Sequence, residues 1–281
     1  MSFWFHFIKI LLTKFCHNLS KMLDYYNYLI YELEDPLIKN KPLLNSPFPS
    51  LAFLATYLLL IYVVLPQYMK NKEPYKLKTI ILLYNLFQIV FCTYFVYQYL
   101  TPLSDPLVNW NCDYFTYEDT PKSQRRSKIC YYVYLIKIAE LVETVFFVLR
   151  KKYKQISGLH VYHHTSTLLL VWFLTKYYSG GVTAFWFMLN SGVHVLMYTY
   201  YLVASLGFQR ATNFFKPIMT LIQMIQFIIV MIHGSQIMLN PNCGLPSVVF
   251  MVAVPDAVLL FYMFGKFFKA TYLRADKKKV K

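Results

Sequence analysis

The sequence predicts an all-α polytopic membrane protein with seven transmembrane helices. Three observations carry that expectation. Of the 281 residues, 57% are hydrophobic and only 15% charged, against about 25% charged in an ordinary soluble domain. The apolar residues gather into seven runs, each near the roughly 20 helical residues that cross a hydrocarbon core of about 30 Å. Lysines and arginines stand at the ends of those runs rather than along one face, so the formal charge of +15 points to membrane topology and away from nucleic acid.

Taken in order, residues 1–49 read as a lumenal N-terminal segment. Its first apolar stretch, 2–12, is interrupted by Lys9 and followed by Lys14, with no small-residue cleavage site. It reads as an interfacial segment rather than a signal peptide. Asn18-Leu19-Ser20 is a glycosylation sequon, and the Pro-rich stretch from Asp35 to Pro49 is an approach to the membrane. The membrane domain then spans 50–270, with helices expected over Leu51–Met69, Leu77–Leu100, Ile129–Leu149, His160–Tyr178, Val182–Ser205, Pro217–Leu239 and Ser247–Phe267. Residues 271–281 form a basic tail.

An odd number of crossings puts the termini on opposite sides. Lys70, Lys72, Lys76 and Lys78, then Arg150, Lys151, Lys152 and Lys154, then Arg210 and Lys216, and finally the stretch from Lys266 onward all fall on one side. The positive-inside rule makes that side cytoplasmic and the N-terminus lumenal. Lys122, Arg125, Arg126 and Lys128 dissent, in the longest connection of the chain. Cys112 and Cys243 lie in the second and sixth connections, both lumenal, where an oxidising compartment permits a bridge and two free thiols are the alternative.

The first two spans carry no buried acid or base and read as scaffold. In the third, Lys137, Glu140 and Glu143 recur every third residue and Thr144 follows; an internal ion pair offsets part of the cost of burying them. In the fourth, His160, His163 and His164 sit at i, i+3 and i+4, which places three imidazoles on one helix face. The fifth presents Asn190, His194, Met197 and Tyr198 as one stripe, and the sixth carries Thr220, Gln223 and Gln226. Each group alone has a structural explanation as interhelical glue. Together, at about 1.5 Å rise per residue, they fall in one slab in the cytoplasmic half of the membrane, and intramembrane ionisable groups mark sites.

Imidazoles suggest a metal, but a membrane di-iron enzyme uses more histidines than this chain offers. Seven are present, and His6 and His17 lie in the N-terminal segment. No metal is assigned. Without one, a neutral imidazole can attack a thioester or act as a base, while Asn, Gln and Tyr hydrogen-bond a developing oxyanion. A transporter or receptor with an intramembrane polar site is the rival reading.

The ordered set Lys137-x-x-Glu140-x-x-Glu143-Thr144, His160-x-x-His163-His164, Asn190-x-x-x-His194-x-x-Met197-Tyr198 and Thr220-x-x-Gln223-x-x-Gln226 resembles the signature of the very-long-chain fatty acid elongases, from about Leu51 to the C-terminus. Glu143 stands where that pattern has Asp. The resemblance implies seven helices, six of them around an acyl tunnel, and condensation of acyl-CoA with malonyl-CoA to 3-oxoacyl-CoA, with no cofactor besides these substrates. It implies His163 as nucleophile, His194 beside it, and His160 and His164 orienting it or moving protons. Asn190, Tyr198, Gln223 and Gln226 would hold carbonyls, Lys137, Glu140 and Glu143 would support the site, and Arg150, Lys151 and Lys152 would attract CoA phosphates. It also favours the Cys112–Cys243 bridge. Lys278-Lys279-Val280-Lys281 looks like a di-lysine retrieval signal, which implies the endoplasmic reticulum membrane. Membrane lipid, the other enzymes of the elongation cycle and a second copy of the chain are the expected partners.

Overall fold

The computed structural model describes residues 20–102, 106–108, 110–112 and 118–273. The expected interfacial segment over 2–12, the Asn18 sequon and the di-lysine signal lie outside them. Among the described residues every regular element is helical.

We number the long helices α1 (Phe48–Met69), α2 (Lys78–Leu100), α3 (Pro121–Glu140), α4 (Val142–Leu149), α5 (Gly158–Tyr177), α6 (Val182–Leu206), α7 (Gln209–Leu239) and α8 (Ser247–Phe268). By length and composition α1, α2, residues 212–239 of α7 and the stretch 247–273 can cross a membrane. The helices between them, α3 to α6, hold Lys137, Glu140, Glu143 and the four site histidines. The protein is therefore a multi-pass membrane protein whose four central helices carry the polar groups.

Neighbour contacts close on themselves: α2 packs on α6, α6 on α7, α7 on α8, α8 on α5, α5 on α3, and α3 again on α2. α1 rests outside that circuit, against α4 and α5. The outer face of α2 is made of Ile80, Leu83, Phe87, Val90, Phe91 and Tyr94, all exposed, as a surface solvated by lipid requires. In α1 the turn over residues 60–64 widens to a π-helix immediately before Pro66. Proline gives no N–H to the carbonyl four residues back, and its ring crowds that carbonyl, so the preceding turn opens.

The structure corrects the long second connection. Helix α3 begins at Pro121, capped by Thr120, whose hydroxyl accepts from the Ser123 amide at 3.1 Å. Lys122, Arg125, Arg126 and Lys128 thus ride on a helix. Arg125 donates to the carbonyls of Gln98 and Thr101 at the end of α2, which gives this dissenting charge a structural reason. Arg126 lies against Gly180, where a Cβ would stand 2.6 Å from the guanidinium; only glycine permits that approach.

A buried polar strap holds the stretch before α1 to the far end of α5. Asp35 accepts from Ser179, which also pairs with Ser127 at 2.6 Å, and burial pushes the Asp35 carboxyl above its ordinary range against the pull of the Ser179 bond. Lys176, fully buried, reaches Glu34 at 2.6 Å. Truncating Glu34 to Ala leaves that ammonium without its counter-charge and with the Asn45 carbonyl, at 3.5 Å, as its hydrogen-bond acceptor; the expected cost is about 3–5 kcal/mol, read as a lowered thermal midpoint of the detergent-solubilised protein. Adding Lys176→Met should restore part of it. Nearby, Cys112 and Cys243 are joined in a disulfide, and Gln236 pins the same loop by donating to the Trp110 carbonyl at 2.8 Å and accepting from the Cys112 amide at 3.1 Å. Cys92 and Cys130 are buried and free.

Candidate active site

Two local features aim the polar side chains. The Ser157 hydroxyl accepts from the His160 amide at 3.2 Å and starts α5 at Gly158, earlier than the sequence suggested, so all three histidines fall in its first two turns. Between α3 and α4 a single tight turn at Leu141, whose amide donates to the Ile138 carbonyl at 3.2 Å, interrupts the α-helical pattern while the residue keeps helical dihedrals. Lys137 donates to both oxygens of Glu140, at 2.9 and 3.0 Å, whereas Glu143 has its carboxylate 3.8 Å from His164 Nε2.

The four imidazoles meet. His160, His163, His164 and His194 line one cavity of about 540 Å³, together with Glu143, Met197, Thr220 and Gln223. The His160 and His164 rings are 4.4 Å apart and those of His163 and His164 5.3 Å. His194 Nδ1 stands 3.1 Å from Glu140 Oε1, in ion-pair range yet off the line of a hydrogen bond. Glu140 therefore sits between a lysine and a histidine from a different helix, which couples α3 to α6.

The other expected residues divide. Lys137, Asn190 and Gln226 join His163 around a smaller pocket of about 80 Å³, whose remaining wall is mainly apolar and includes Leu170, Leu174, Trp186, Phe187 and Leu260. Gln223 donates to Met197 Sδ at 3.4 Å. Tyr198 is fully buried behind the site, its ring 5.7 Å from that of His194 and 6.0 Å from that of Tyr84. Arg150 and Lys152 line a third cavity, of about 850 Å³, with Lys76 and Lys78. It shares Glu143, Phe147, Gln155 and Tyr201 with the histidine cavity. Lys151 takes the left-handed conformation, φ 55°, that ends α4 and does not line it. His233 lies elsewhere, stacked on Phe185 at 4.2 Å.

A protein of Drosophila melanogaster named very long chain fatty acid elongase 7 is 33% identical over 261 residues, covering 92% of this chain and 79% of its own length. The GNS1/SUR4 family matches residues 42–280. The chain belongs to the very-long-chain fatty acid elongase family. Other elongases similar to it include elongase 7 of Rattus norvegicus, 31% identical with 92% of each chain covered, and elongase 1 of Mus musculus, 32% identical over 86% of this chain and 88% of its own.

Membership of the elongases accounts for the motif residues but not for two that sequence reasoning missed. Tyr57 of α1, a span read as scaffold, places its hydroxyl 3.0 Å from Thr144 Oγ1, and Thr144 lies 2.8 Å from His160 Nε2. Among the described residues Tyr57 has no other hydrogen-bond partner, so a chain running from Tyr57 through Thr144 satisfies all three groups. It leaves Nε2 as acceptor and the ring proton on Nδ1. Tyr57→Phe is expected to lower kcat of elongation roughly fivefold to tenfold, about one buried hydrogen bond, with KM unchanged; steady-state kinetics check it. Nothing in the apolar run of α1 signals this tyrosine. The second missed residue is Asp256, on the wall of the small pocket.

Proposed function

We propose that the protein is the condensing enzyme of fatty acid elongation, joining a long-chain acyl-CoA to malonyl-CoA with release of CO2 and CoA. The observation that carries this reading is the position of His163. Alone among the four site histidines, it lines both the cavity shared with the other imidazoles and the small, mainly apolar pocket beyond it. A nucleophile for a thioester whose acyl chain must leave water belongs at such a junction.

His163 attacks the acyl thioester; the C–N bond of an acyl-imidazole forms, the C–S bond breaks, and CoA leaves as thiolate to take a proton. Malonyl-CoA then loses CO2, and the carbanion at its C2 attacks the acyl carbonyl. The new C–C bond displaces the imidazole and yields 3-oxoacyl-CoA. Decarboxylation supplies the carbanion, so no strong base is needed, which suits a site of imidazoles and amides. Asn190, Gln226 and Gln223 donate to the thioester oxygens or the malonyl carboxylate. His160 and His164 orient His163 or carry protons, and Glu140, backed by Lys137, sets His194. Arg150 and Lys152, with Lys76 and Lys78, offer cations to CoA phosphates from the wall of the cavity at the cytoplasmic mouth, and Lys151 adds its charge from outside that wall.

The closed circuit of helix contacts supports seven spans with six around an acyl tunnel; the basic loops argue for a lumenal N-terminus and a cytoplasmic C-terminus, and the di-lysine tail for the endoplasmic reticulum membrane. In the test, purified protein receives labelled malonyl-CoA and a long-chain acyl-CoA. A labelled 3-oxo product that persists after strong chelation is expected. A well-folded sample that forms no carbon–carbon bond overturns the reading, and loss of activity restored by added metal overturns its metal-free chemistry.

A further inference from the structure

The small pocket beyond His163 is bordered by a carboxyl group. Asp256 of α8 lines it beside Ala253, Ala257 and Leu260 of the same helix, at a depth where acidic residues are costly. From α5 the Tyr162 hydroxyl donates to Asp256 Oδ1 at 2.7 Å. Tyr162 is not among the pocket's lining residues, so it ties back one oxygen from behind. A carboxylate can accept up to about four hydrogen bonds, and Tyr162 supplies one. One turn further along α5, the buried Ser166 hydroxyl neighbours both Tyr162 and Asp256 and can supply a second, which leaves about two of the four unfilled. A residue needed only to tie α5 to α8 has no reason to border the cavity.

We propose that Asp256 makes the acyl pocket selective for chains bearing a hydroxyl group at mid-chain. The proposal rests on the acyl-transfer reading above for what occupies the pocket. A methylene chain drawn past Asp256 covers the carboxyl with hydrocarbon and leaves its free lone pairs unpaired. A hydroxyl at that level donates to it and restores the bond that water would have made. The structure also bounds the level. Phe264, whose ring is 6.3 Å from that of His163, lies about 12 Å from Asp256 along α8 at 1.5 Å per residue. With that ring separation in either direction, the favoured hydroxyl falls between roughly 6 and 18 Å from the thioester carbon. One hydrogen bond to a buried acid corresponds to a preference of about tenfold.

The test is competitive binding to the purified wild-type protein of acyl-CoAs of one length, with the hydroxyl walked along the chain, against the unsubstituted acyl-CoA. Binding is expected to be about tenfold tighter at one position within that range, and no tighter than the unsubstituted chain elsewhere, where a hydroxyl buried without a partner costs affinity. Asp256→Leu should flatten the profile and Asp256→Asn should retain part of it. A flat wild-type profile, or a peak that survives in Asp256→Leu, overturns the proposal. Because the readout is binding, absence of 3-oxo product would count against the acyl-transfer reading alone.

Discussion

His163→Ala is expected to abolish the acyl-enzyme. Incubated with acyl-CoA and no malonyl-CoA, wild-type protein should gain the mass of one acyl group, and the variant should gain none. Elongation should fall by about 10³-fold or more, the scale on which covalent catalysis fails when its nucleophile is removed. Folding should be nearly untouched. His163 is only partly buried and faces a cavity, so truncation leaves no unpaired partner, and the stability change should stay within about 1 kcal/mol. His160→Ala and His164→Ala provide the contrast. Both rings line the same cavity but not the apolar pocket, so the adduct should still form in these variants, more slowly. An adduct that persists in His163→Ala and vanishes in His194→Ala would move the nucleophile to the other helix.

That contrast depends on geometry the sequence carried only in part. Helical spacing alone places His160, His163 and His164 together, because a face follows from a period of 3.6 residues. The meeting of those three with His194 does not follow from spacing; it required the depth argument, in which several helices bring their costly groups to the same level. Glu143 shows where that reasoning runs out. Regular spacing put it in a ladder with Lys137 and Glu140, yet its carboxylate lies 3.8 Å from His164 of another helix, a neighbour that no spacing within the third span reveals. Tyr57 and Asp256 were illegible for another reason. Each is tied to a helix far along the chain, through Thr144 and Tyr162 respectively, and a single polar atom in an apolar run has no periodicity to reveal it. The dissenting charges at Arg125 and Arg126 had the same character, since the groups that hold them, the α2 carbonyls and Gly180, become neighbours only after folding.

Glu140→Ala is expected to give the largest combined loss of stability and activity. Glu140 is 1% exposed and binds Lys137 through both oxygens. Among the described residues Lys137 has no other hydrogen-bonded or ion-paired partner, and it is itself only 4% exposed. Removing the carboxylate leaves a buried cation uncompensated, at about 3–5 kcal/mol, measurable as thermal unfolding in detergent. Activity should fall as well, since His194 Nδ1 loses the anion 3.1 Å away, whose charge favours a proton on that nitrogen; the off-line contact can tighten once substrate fills the cavity. The two losses can be separated. Lys137→Met/Glu140→Ala removes both charges, which apolar packing can replace, so stability should largely return. Elongation should not return, because His194 is still without its carboxylate. Recovery of activity together with stability would make the ion pair a structural pin alone, and the orientation of His194 would then have to come from its packing against Tyr198.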